Sequence, residues 1–396
     1  MLPYGRQDID DDDIAAVVAA LRSDRLTTGP AVEAFERSFA ERVDAPHAIA
    51  CSSGTAALHL AALALGLGPG DHVIVPAITF LATANAARFV GAEVVFADVD
   101  PDTGLMRAED LDAALAAAGD RTVRAVFPVH LAGQPADPAN IKARADAARI
   151  VVVEDACHAI GTRYAEGNTD YAVGACRHSA MAAFSFHPVK TIACGEGGMV
   201  TTRDAALAES LRRMRNHGMV RDADAVQRRD MAFDAGGAPN PWYYEMPEIG
   251  FNYRLSDIHA ALGLSQMGKL ERFVARRAAL VDRYDRLIAP LAPAVRPVAR
   301  TAAARVGWHL YPVLIDFDAI GRTRAGAMAG LRARGVNTQV HYIPVAWQPY
   351  YRERYGDADL PGAWRYYERT LSLPLFPAMT DEDVDRVVEA LSATCC

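Results

Sequence analysis

Residues 150–155 read Ile150-Val-Val-Val-Glu154-Asp155, an apolar run that ends abruptly in two carboxylates. A short run of this kind, without polar alternation, is typical of a strand that is buried on both faces of a parallel sheet. In an open sheet of this type, ligands bind beyond the carboxyl ends of the strands. The run therefore predicts a central strand, Ile150–Glu154, with carboxylates at the ligand-binding edge of the sheet.

The sequence on both sides of this run alternates between similar short runs and helical patterns. The alternation predicts a three-layer α/β domain built on a mostly parallel sheet. The other predicted strands are Ala48–Cys51, His72–Ala77, Glu93–Ala97, Arg124–Val129, Met181–Phe186 and Gly198–Thr202. The predicted helices between them include Thr55–Leu65, Leu81–Phe89, Ala108–Ala117 and Pro138–Ala148.

The pattern changes after about residue 255, and it predicts a second, smaller α+β domain. We place the boundary near residue 270, so that residues 1–270 form the large domain and residues 271–396 the small one. A long helix, Ser256–Ile288 with Ser256 as its N-cap, precedes a Pro/Ala-rich connector, Ala289–Ala304. The remaining predicted elements are a strand at Trp308–Ile315, a helix at Thr323–Arg334, a strand at Thr338–His341, and a helix at Asp381–Leu391. Residues 221–241 are predicted to form a loop.

Composition limits the class of protein. The 396 residues are 51% apolar and 23% charged, which indicates a globular chain with a sizeable core. The net charge of −8 disfavours nucleic acid and anionic membranes as partners. The sequence shows no transmembrane run, no secretory signal and no metal-ligand spacing among its six cysteines. We therefore expect a cytoplasmic protein with no metal, nucleic-acid or membrane site.

Two segments that could suggest ligand sites have simpler interpretations. The acidic run at residues 10–13 suits the N-terminus of a helix, where one carboxylate caps free amides and the others interact with the helix dipole. The Gly66-Leu-Gly-Pro-Gly70 segment follows a predicted helix and precedes a strand, the reverse of the order in a dinucleotide-binding loop. We therefore interpret it as a turn that ends a helix.

Ser52-Ser-Gly-Thr55 lies between a predicted strand and an Ala/Leu-rich helix. Backbone amides and the helix dipole converge at such a turn, and small residues let an anion approach the backbone. The segment therefore predicts a phosphate cradle. Ser and Thr are also ordinary helix caps, so this pattern alone leaves both interpretations open.

Asp155 and Lys190 complete a chemically recognisable set with this cradle. A buried carboxylate at a strand end needs a cationic partner, and a protonated ring nitrogen would serve, although an Asp also caps turns. Lys190 lies between an apolar strand and a glycine-rich turn, in a segment with almost no other charge. Most lysines are solvated surface groups, but an amine in this setting has a lowered pKa and forms Schiff bases with aldehydes. Together the three features predict a site for pyridoxal 5′-phosphate (PLP).

Other residues could contact the same cofactor. Phe80 follows another strand end and could stack on the cofactor ring, or it could be an ordinary core residue. His158 and His187 could contact the ring hydroxyl or the phosphate, although single histidines are more often structural.

The chain resembles the DegT-type sugar aminotransferases nearly from end to end. These are PLP enzymes of the aspartate-aminotransferase fold (type I), and they act on nucleotide-linked keto-sugars. The segments that carry the resemblance are Leu26-Thr-Thr-Gly-Pro30, Ser52-Ser-Gly-Thr-Ala-Ala-Leu58, Glu154-Asp-Ala-Cys-His-Ala159, Ser185–Gly198 and Gly250-Phe-Asn-Tyr-Arg-Leu-Ser-Asp257.

The resemblance implies specific roles for individual residues. Lys190 would form the Schiff base with the cofactor, Asp155 would pair with the pyridine nitrogen, and Phe80 would cover the ring. The phosphate would be held by Gly54, Thr55 and Ser185, with Asn252 reaching it from a neighbouring subunit. The active site would therefore lie at the interface of a homodimer.

Three segments resemble the branch of the family that serves pseudaminic acid biosynthesis; they are Pro241–Arg254, Val340–Val345 and Ser372–Leu375. This resemblance implies transfer of an amino group from L-glutamate to C4 of UDP-2-acetamido-2,6-dideoxy-β-L-arabino-hex-4-ulose. The residues implied in substrate binding are Tyr4, Asp24, Arg25, Leu26, Thr27, Gly54, Ser185, Asn252, Arg254, His341, Tyr342, Ile343 and Pro344. Arg25 and Arg254 are the candidates for contacting the diphosphate.

Alternative functions remain at this stage. Amination of another 4-keto nucleotide sugar, of the perosamine or bacillosamine type, fits the same residues. The sugar 3-dehydratases of this fold carry histidine in place of the Schiff-base lysine, so Lys190 argues against them. A non-catalytic PLP-binding sensor would not need the intact lysine and carboxylate. Cys157 stands where the family usually has alanine, a departure that bears on fine specificity.

Overall fold

A computed structural model describes residues 1–167, 169–301 and 304–395. The first nine strands lie within residues 47–202. They are β1 (His47–Cys51), β2 (His72–Pro76), β3 (Glu93–Ala97), β4 (Val123–Val126), β5 (Val151–Asp155), β6 (Arg163–Glu166), β7 (Thr169–Ala172), β8 (Met181–Ser185) and β9 (Gly198–Thr202).

Seven of these strands form one central sheet in the order β1-β9-β8-β5-β4-β2-β3. The pairs β8–β5, β5–β4, β4–β2 and β2–β3 are parallel, whereas β9 runs antiparallel to both of its neighbours, β1 and β8. Six strands therefore point the same way, and the predicted mostly parallel sheet is confirmed. Because β5 lies in the middle of this sheet, its apolar residues are largely buried, as the run at 150–155 predicts.

Helices cover the two faces of the central sheet. Those in the first two thirds of the chain are α1 (Asp11–Leu21), α2 (Pro30–Val43), α3 (Gly54–Ala64), α4 (Leu81–Phe89), α5 (Ala108–Ala118), α6 (Pro138–Ala148), α7 (Ala205–Met214), α8 (Arg229–Ala232) and α9 (Asp257–Met267). Helix α3 is almost entirely buried because its alanines and leucines pack closely against the sheet. The four predicted helices agree with α3 to α6 to within a residue at each end.

The C-terminal part adds two small sheets and five helices. One sheet joins β10 (Val295–Pro297), β12 (Tyr311–Ile315) and β13 (Thr370–Leu373), and the other joins β11 (Ala304–Arg305) to the β6–β7 hairpin. The helices are α10 (Leu270–Ile288), α11 (Arg324–Ala333), α12 (Pro349–Tyr355), α13 (Pro361–Arg369) and α14 (Asp381–Cys395). The β6–β7 hairpin was not predicted, because its short strands are half exposed and lack an apolar run.

Three sequence predictions for this region were wrong. The helix expected over Ser256–Ile288 is two helices, α9 and α10, because the chain turns at Gly268 and Lys269 bonds back to the start of α1. No strand forms at Thr338–His341, where Gln339 makes only an isolated bridge to Ser372. The connector at 289–304 contains β10 and a 3-10 turn, and its residues 302 and 303 lie outside the described part.

Helix α10 connects two apolar cores. Its first residues, among them Phe273 and Val274, pack in the core beneath α2 and β8, whereas Leu280 and Tyr284 pack in the core of the C-terminal sheet. The division at residue 270 stays a prediction. The loop predicted at 221–241 is largely irregular, with α8 as a single helical turn.

Aspartate side chains cap the N-termini of two helices, one within its own helix and one from a distant segment of the chain. Asp10 is the N-cap of α1, as the acidic run predicts, and it accepts hydrogen bonds from the amides of Asp12 and Asp13. Helix α2 is capped across the fold by Asp257, whose buried carboxylate accepts hydrogen bonds from Gly29 N (2.8 Å) and Ala31 N (3.0 Å).

In the part of the chain that the structure describes, no helix has the length and apolar character of a membrane span.

Candidate active site

A cavity of about 590 Å³ opens at the carboxyl ends of β1, β2, β5 and β8, as an open parallel sheet predicts. It brings together residues that are far apart in the sequence. The predicted site residues that line it are Tyr4, Gly54, Thr55, Phe80, Asp155, His158, Ser185, Lys190, His341, Tyr342 and Ile343. His187, the second histidine considered for the cofactor, also lines it.

Asp155 ends β5 and lies buried at the floor of the cavity. Its Oδ2 accepts a hydrogen bond from Thr83 Oγ1 (2.6 Å), and its Oδ1 accepts one from the amide of Cys157 (3.1 Å). Thr79 Oγ1 lies 2.7 Å from Thr83 Oγ1, so the threonine hydroxyls form a short chain that ends at the carboxylate. These bonds fix the direction of both carboxylate oxygens.

Lys190 is unlike the other lysines of the chain. The sequence has three, and Lys142 pairs with Asp146 while Lys269 pairs with Asp13. Among the described residues, none forms a hydrogen bond or ion pair with the Lys190 amine. Burial lowers the pKa of Lys190 from its ordinary value, and the nearby groups of Cys157 and Asp155 oppose this shift only in part. A lowered pKa leaves more of the amine neutral, which is the nucleophilic form.

The turn at residues 52–55 forms a narrow cradle. Ser53 is the N-cap of α3 and its side chain accepts the Ala56 amide, so the first-turn amides of Gly54 and Thr55 have no acceptor within the helix. A Cβ at Gly54 would lie 2.7 Å from Ser185 Cβ and 3.3 Å from Cys157 Sγ. Glycine therefore keeps open the space between the helix N-terminus and Ser185, where an anion could bind.

Aromatic residues and histidines also line the cavity. Phe80 precedes α4 and remains 55% exposed, and its ring lies 6.1 Å from that of Tyr342. Phe80 is thus an exposed ring at the cavity and not a core residue. His341 Nδ1 lies 2.8 Å from Ser372 Oγ, and burial lowers the pKa of His341 to about 3.

Sequence reasoning missed some lining residues. His309 and Thr79 line the cavity, and Thr83 supports it by its hydrogen bond to Asp155. His309 follows Trp308 in a predicted strand, where a single histidine gives no signal of a site. Thr79 and Thr83 flank the start of α4, at a spacing of one helical turn that is also common in ordinary helices.

Several predicted substrate residues do not line this cavity; they are Asp24, Arg25, Leu26, Thr27, Asn252, Arg254 and Pro344. Residues 24–27 and Asn252 are exposed, and Pro344 is buried. Residues 26–27 and 256–257 are joined by the bridge between Thr27 and Ser256. Arg254 donates to Asn216 Oδ1 (2.7 Å). Their roles stay predictions, and they require a ligand or partner that reaches this exposed surface.

Comparison with known proteins decides the family. The profile of the DegT/DnrJ/EryC1/StrS aminotransferase family matches residues 7–392. The chain belongs to this family. This confirms the resemblance and identifies the chain as a sugar aminotransferase on a fold shared by solved PLP-dependent members.

Known proteins similar to this chain match it over all or nearly all of its length. The spore coat polysaccharide biosynthesis protein SpsC of Bacillus subtilis (strain 168) is 39% identical over 98% of this chain and 96% of its own length. PseC of Helicobacter pylori, an aminotransferase involved in pseudaminic acid biosynthesis, has a TM-score of 0.87 at 27% identity, with coverage of 100% and 99%. Spr1654 of Streptococcus pneumoniae, in its PLP form, has a TM-score of 0.87 at 28% identity, with coverage of 100% and 98%.

PLP is the cofactor of this family of aminotransferases, and Spr1654 has been solved in both PLP and PMP forms. The cavity fits such a group on its own evidence. It offers an unpartnered amine at Lys190, a fixed carboxylate at Asp155, and a cradle beside Gly54 that a single Cβ would fill. These are an aldehyde-reactive group, a partner for a ring N–H, and a phosphate-sized anion site.

Proposed function

We propose that this protein transfers an amino group from L-glutamate to C4 of a UDP-linked 4-keto-6-deoxy sugar, as in pseudaminic acid biosynthesis. The sugar is UDP-2-acetamido-2,6-dideoxy-β-L-arabino-hex-4-ulose. The single observation that carries the proposal is that the unpartnered Lys190 amine and the fixed carboxylate of Asp155 line one cavity. The full-length likeness to PseC supports the choice of sugar.

When bound, PLP supplies an aldehyde and an electron-accepting ring for moving an amino group between donor and ketone. In our proposal Lys190 would hold this group covalently, and its free amine would carry protons to and from the reacting carbon. Its lowered pKa suits this role, because it leaves more of the amine in the neutral form that accepts a proton. Asp155, oriented by Thr83 and the Cys157 amide, would keep the ring nitrogen protonated.

The phosphate and ring contacts follow from the geometry of the cavity. The first-turn amides of α3 at Gly54 and Thr55, together with the Ser185 hydroxyl, would bind the phosphate. The exposed Phe80 ring would cover one face of the pyridine. The proposed substrate residues that already line the cavity are Tyr4, His341, Tyr342 and Ile343.

We further propose that two copies of the chain share each active site. Asn252 is exposed and does not line its own cavity, which leaves its side chain available to a site on another copy. Large apolar side chains precede it on the surface, with Trp242 74% and Ile249 77% exposed. Leu26, within the proposed substrate segment 24–27, is exposed as well. A second copy would bury these groups and bring residues 24–27 and Asn252 to the partner's cavity. We place this dimer in the cytoplasm.

The proposed reaction can be tested with a panel of 4-keto nucleotide sugars and ¹⁵N-labelled glutamate. We expect the label to appear at C4 of the UDP-linked arabino-hexulose, where NMR of the product also gives the configuration. The Lys190→Ala protein should transfer no label. Amination of a perosamine or bacillosamine precursor in preference to this sugar would overturn the substrate assignment. The proposed amino transfer to a 4-keto sugar would still stand. Failure with every 4-keto sugar would overturn both.

A further inference from the structure

The turn at residues 130–133 holds an unusual backbone conformation beside the cavity. Ala132 is buried and has φ 59° and ψ 3°, in the left-handed region that residues with a Cβ rarely adopt. Gly133 follows with φ 103°, and a Cβ there would lie 2.4 Å from the carbonyl oxygen of Gly307. Conformations of this kind persist only when surrounding contacts hold them, and they cluster at functional sites.

Both polar groups of the Ala132 residue contact histidines of the cavity. Its amide N–H donates to His158 Nδ1 (3.3 Å), and its carbonyl oxygen accepts from the amide of His309 (3.0 Å). The imidazole rings of His158 and His309 lie 4.4 Å apart between centroids. The left-handed turn therefore joins the two histidines through one residue.

The hydrogen bond to Nδ1 determines where the His158 proton lies. A nitrogen that accepts an N–H must have a free lone pair, so the proton of a neutral ring is on Nε2. Nε2 lies 3.1 Å from the Tyr342 hydroxyl, which then accepts this proton's hydrogen bond. Burial lowers the pKa of His158 well below its ordinary value, and the charges of Lys190 and His341 act in the same direction. The neutral ring is thus the favoured form.

Arg277 stabilises this arrangement through hydrogen bonds to the backbone. Its side chain is fully buried in α10, and its Nη1 donates to the carbonyl oxygens of His309 (3.2 Å) and Leu375 (2.8 Å). Within the described residues no carboxylate pairs with it, and its Nε and Nη2 have no hydrogen-bond partner. Burying an unpaired guanidinium is costly, which indicates that its place behind His309 serves more than packing.

We propose that the Ala132 peptide and Arg277 are positioning elements that keep the proton of the His158 ring on Nε2, directed into the cavity. Arg277 donates a hydrogen bond to the His309 carbonyl oxygen, and the His309 amide donates one to the Ala132 carbonyl oxygen. The Ala132 amide in turn donates to Nδ1 of His158. His158 then presents an N–H donor to an oxygen in the cavity: the Tyr342 hydroxyl, or an anionic oxygen of a bound cofactor or substrate. The inference rests on the cavity being the cofactor site and not on the identity of the sugar.

The test is ¹⁵N NMR of the PLP-loaded protein labelled only at histidine, with His158→Gln identifying the His158 signals. We expect an unprotonated Nδ1 and a protonated Nε2 at neutral pH. Ala132→Gly should keep this pattern, because glycine adopts the left-handed turn freely. Ala132→Val should lose it, because a β-branched residue is strained there.

Arg277 is tested by a matched pair. Arg277→Met removes the charge and the hydrogen-bond donors. We expect that the Nε2–H form of His158 will then no longer predominate. We also expect a shift in the pH at which the absorbance of the bound cofactor changes. Arg277→Lys keeps a donor and should restore both readouts in part. The proposal is overturned by a wild-type His158 protonated on Nδ1, or by folded Ala132→Val and Arg277→Met proteins that keep the wild-type ¹⁵N shifts. No sugar enters these measurements, so a wrong substrate assignment would not affect them.

Discussion

The hydroxyl of Thr83 donates a 2.6 Å hydrogen bond to Oδ2 of Asp155. Thr83 lies in α4 and Asp155 at the end of β5, so this bond connects two elements at the floor of the cavity. Short bonds from hydroxyls to carboxylates are stronger than those between neutral groups. The orientation of the carboxylate therefore depends in part on a residue that does not itself line the cavity.

We predict that Thr83→Val lowers kcat by about 10- to 100-fold. Valine keeps the shape of threonine but removes the donor, and a hydrogen bond to a charged group contributes about 1.5–3 kcal/mol. Steady-state rates with a saturating 4-keto sugar give the measurement. Thr79→Val is the matched control and should have a smaller effect, because Thr79 bonds to Thr83 and not to Asp155. Equal effects of the two substitutions would contradict the assigned role of the Thr83 bond.

Lys190→Ala should abolish both the visible absorbance of the covalently bound cofactor and the transfer of nitrogen. The reason is that no other lysine has an unpaired amine near the cavity. Absorbance spectra and borohydride reduction followed by peptide mapping provide the readouts. Lys142→Ala serves as a control, because Lys142 pairs with Asp146 on the surface and should retain normal spectra. Cofactor label on any peptide other than the one with Lys190 would refute the assignment.

Gly54→Ala should weaken cofactor binding by about 5- to 150-fold, since overpacking of a filled site costs about 1–3 kcal/mol. The added methyl group would lie 2.7 Å from Ser185 Cβ, inside the proposed phosphate cradle. The measurement is a titration of cofactor-free protein with PLP. Gly326→Ala, in the first turn of α11 away from the cavity, should bind PLP as the wild type does. Unchanged affinity in Gly54→Ala would argue against the cradle.

The lowered pKa of Lys190 predicts a pH dependence of stability for the cofactor-free protein. The amine binds its proton less tightly in the folded state than in the unfolded chain, whose value is near 10.5. Between these two pKa values the unfolded state binds more protons, so stability rises with pH. Lys190→Met should therefore be more stable than the wild type at low pH, and this difference should shrink as the pH approaches 10.5. Denaturant unfolding of both proteins across this range is the measurement, and a constant difference would contradict the prediction.

Shared active sites predict rescue between two inactive variants. Lys190→Ala and Asn252→Ala should each be poorly active alone, whereas a mixed dimer contains one site with both residues intact. Co-expression with two affinity tags isolates the mixed dimer for assay. We expect up to about half of wild-type activity in these mixed dimers, since one site of two is complete. Activity no higher than the sum of the parent variants would count against sharing.

The sequence predicted the central sheet well because its strands are apolar runs buried on both faces. The carboxyl-end location of the site followed from the direction of those strands, and the cavity lies where Asp155 predicts it. Lys190 was recognisable because the chain around it carries almost no other charge. These features are local in sequence, which is why they could be identified without coordinates.

Features that depend on distant contacts could not be predicted. The break between α9 and α10 has only Gly268 as a local sign, and it is stabilised by Lys269 pairing with Asp13 at the other end of the chain. The left-handed turn at Ala132 has no signal at all, because alanine gives no indication of a positive φ. The role of Arg277 is equally hidden, since an arginine on an amphipathic helix usually faces solvent.

The pairing of β1 with β9 sets the order in which the chain can fold during its synthesis. Strand β1 ends at Cys51 and leads directly into the cradle, but among the described residues it pairs in the sheet only with β9, at residues 198–202. On a ribosome, β1 therefore stays unpaired until about 150 further residues have been synthesised, and only then can it join the sheet. A nascent chain stalled before β9 should thus be unable to capture vitamin B6 phosphate, even though most of the cofactor's proposed contacts have already been translated.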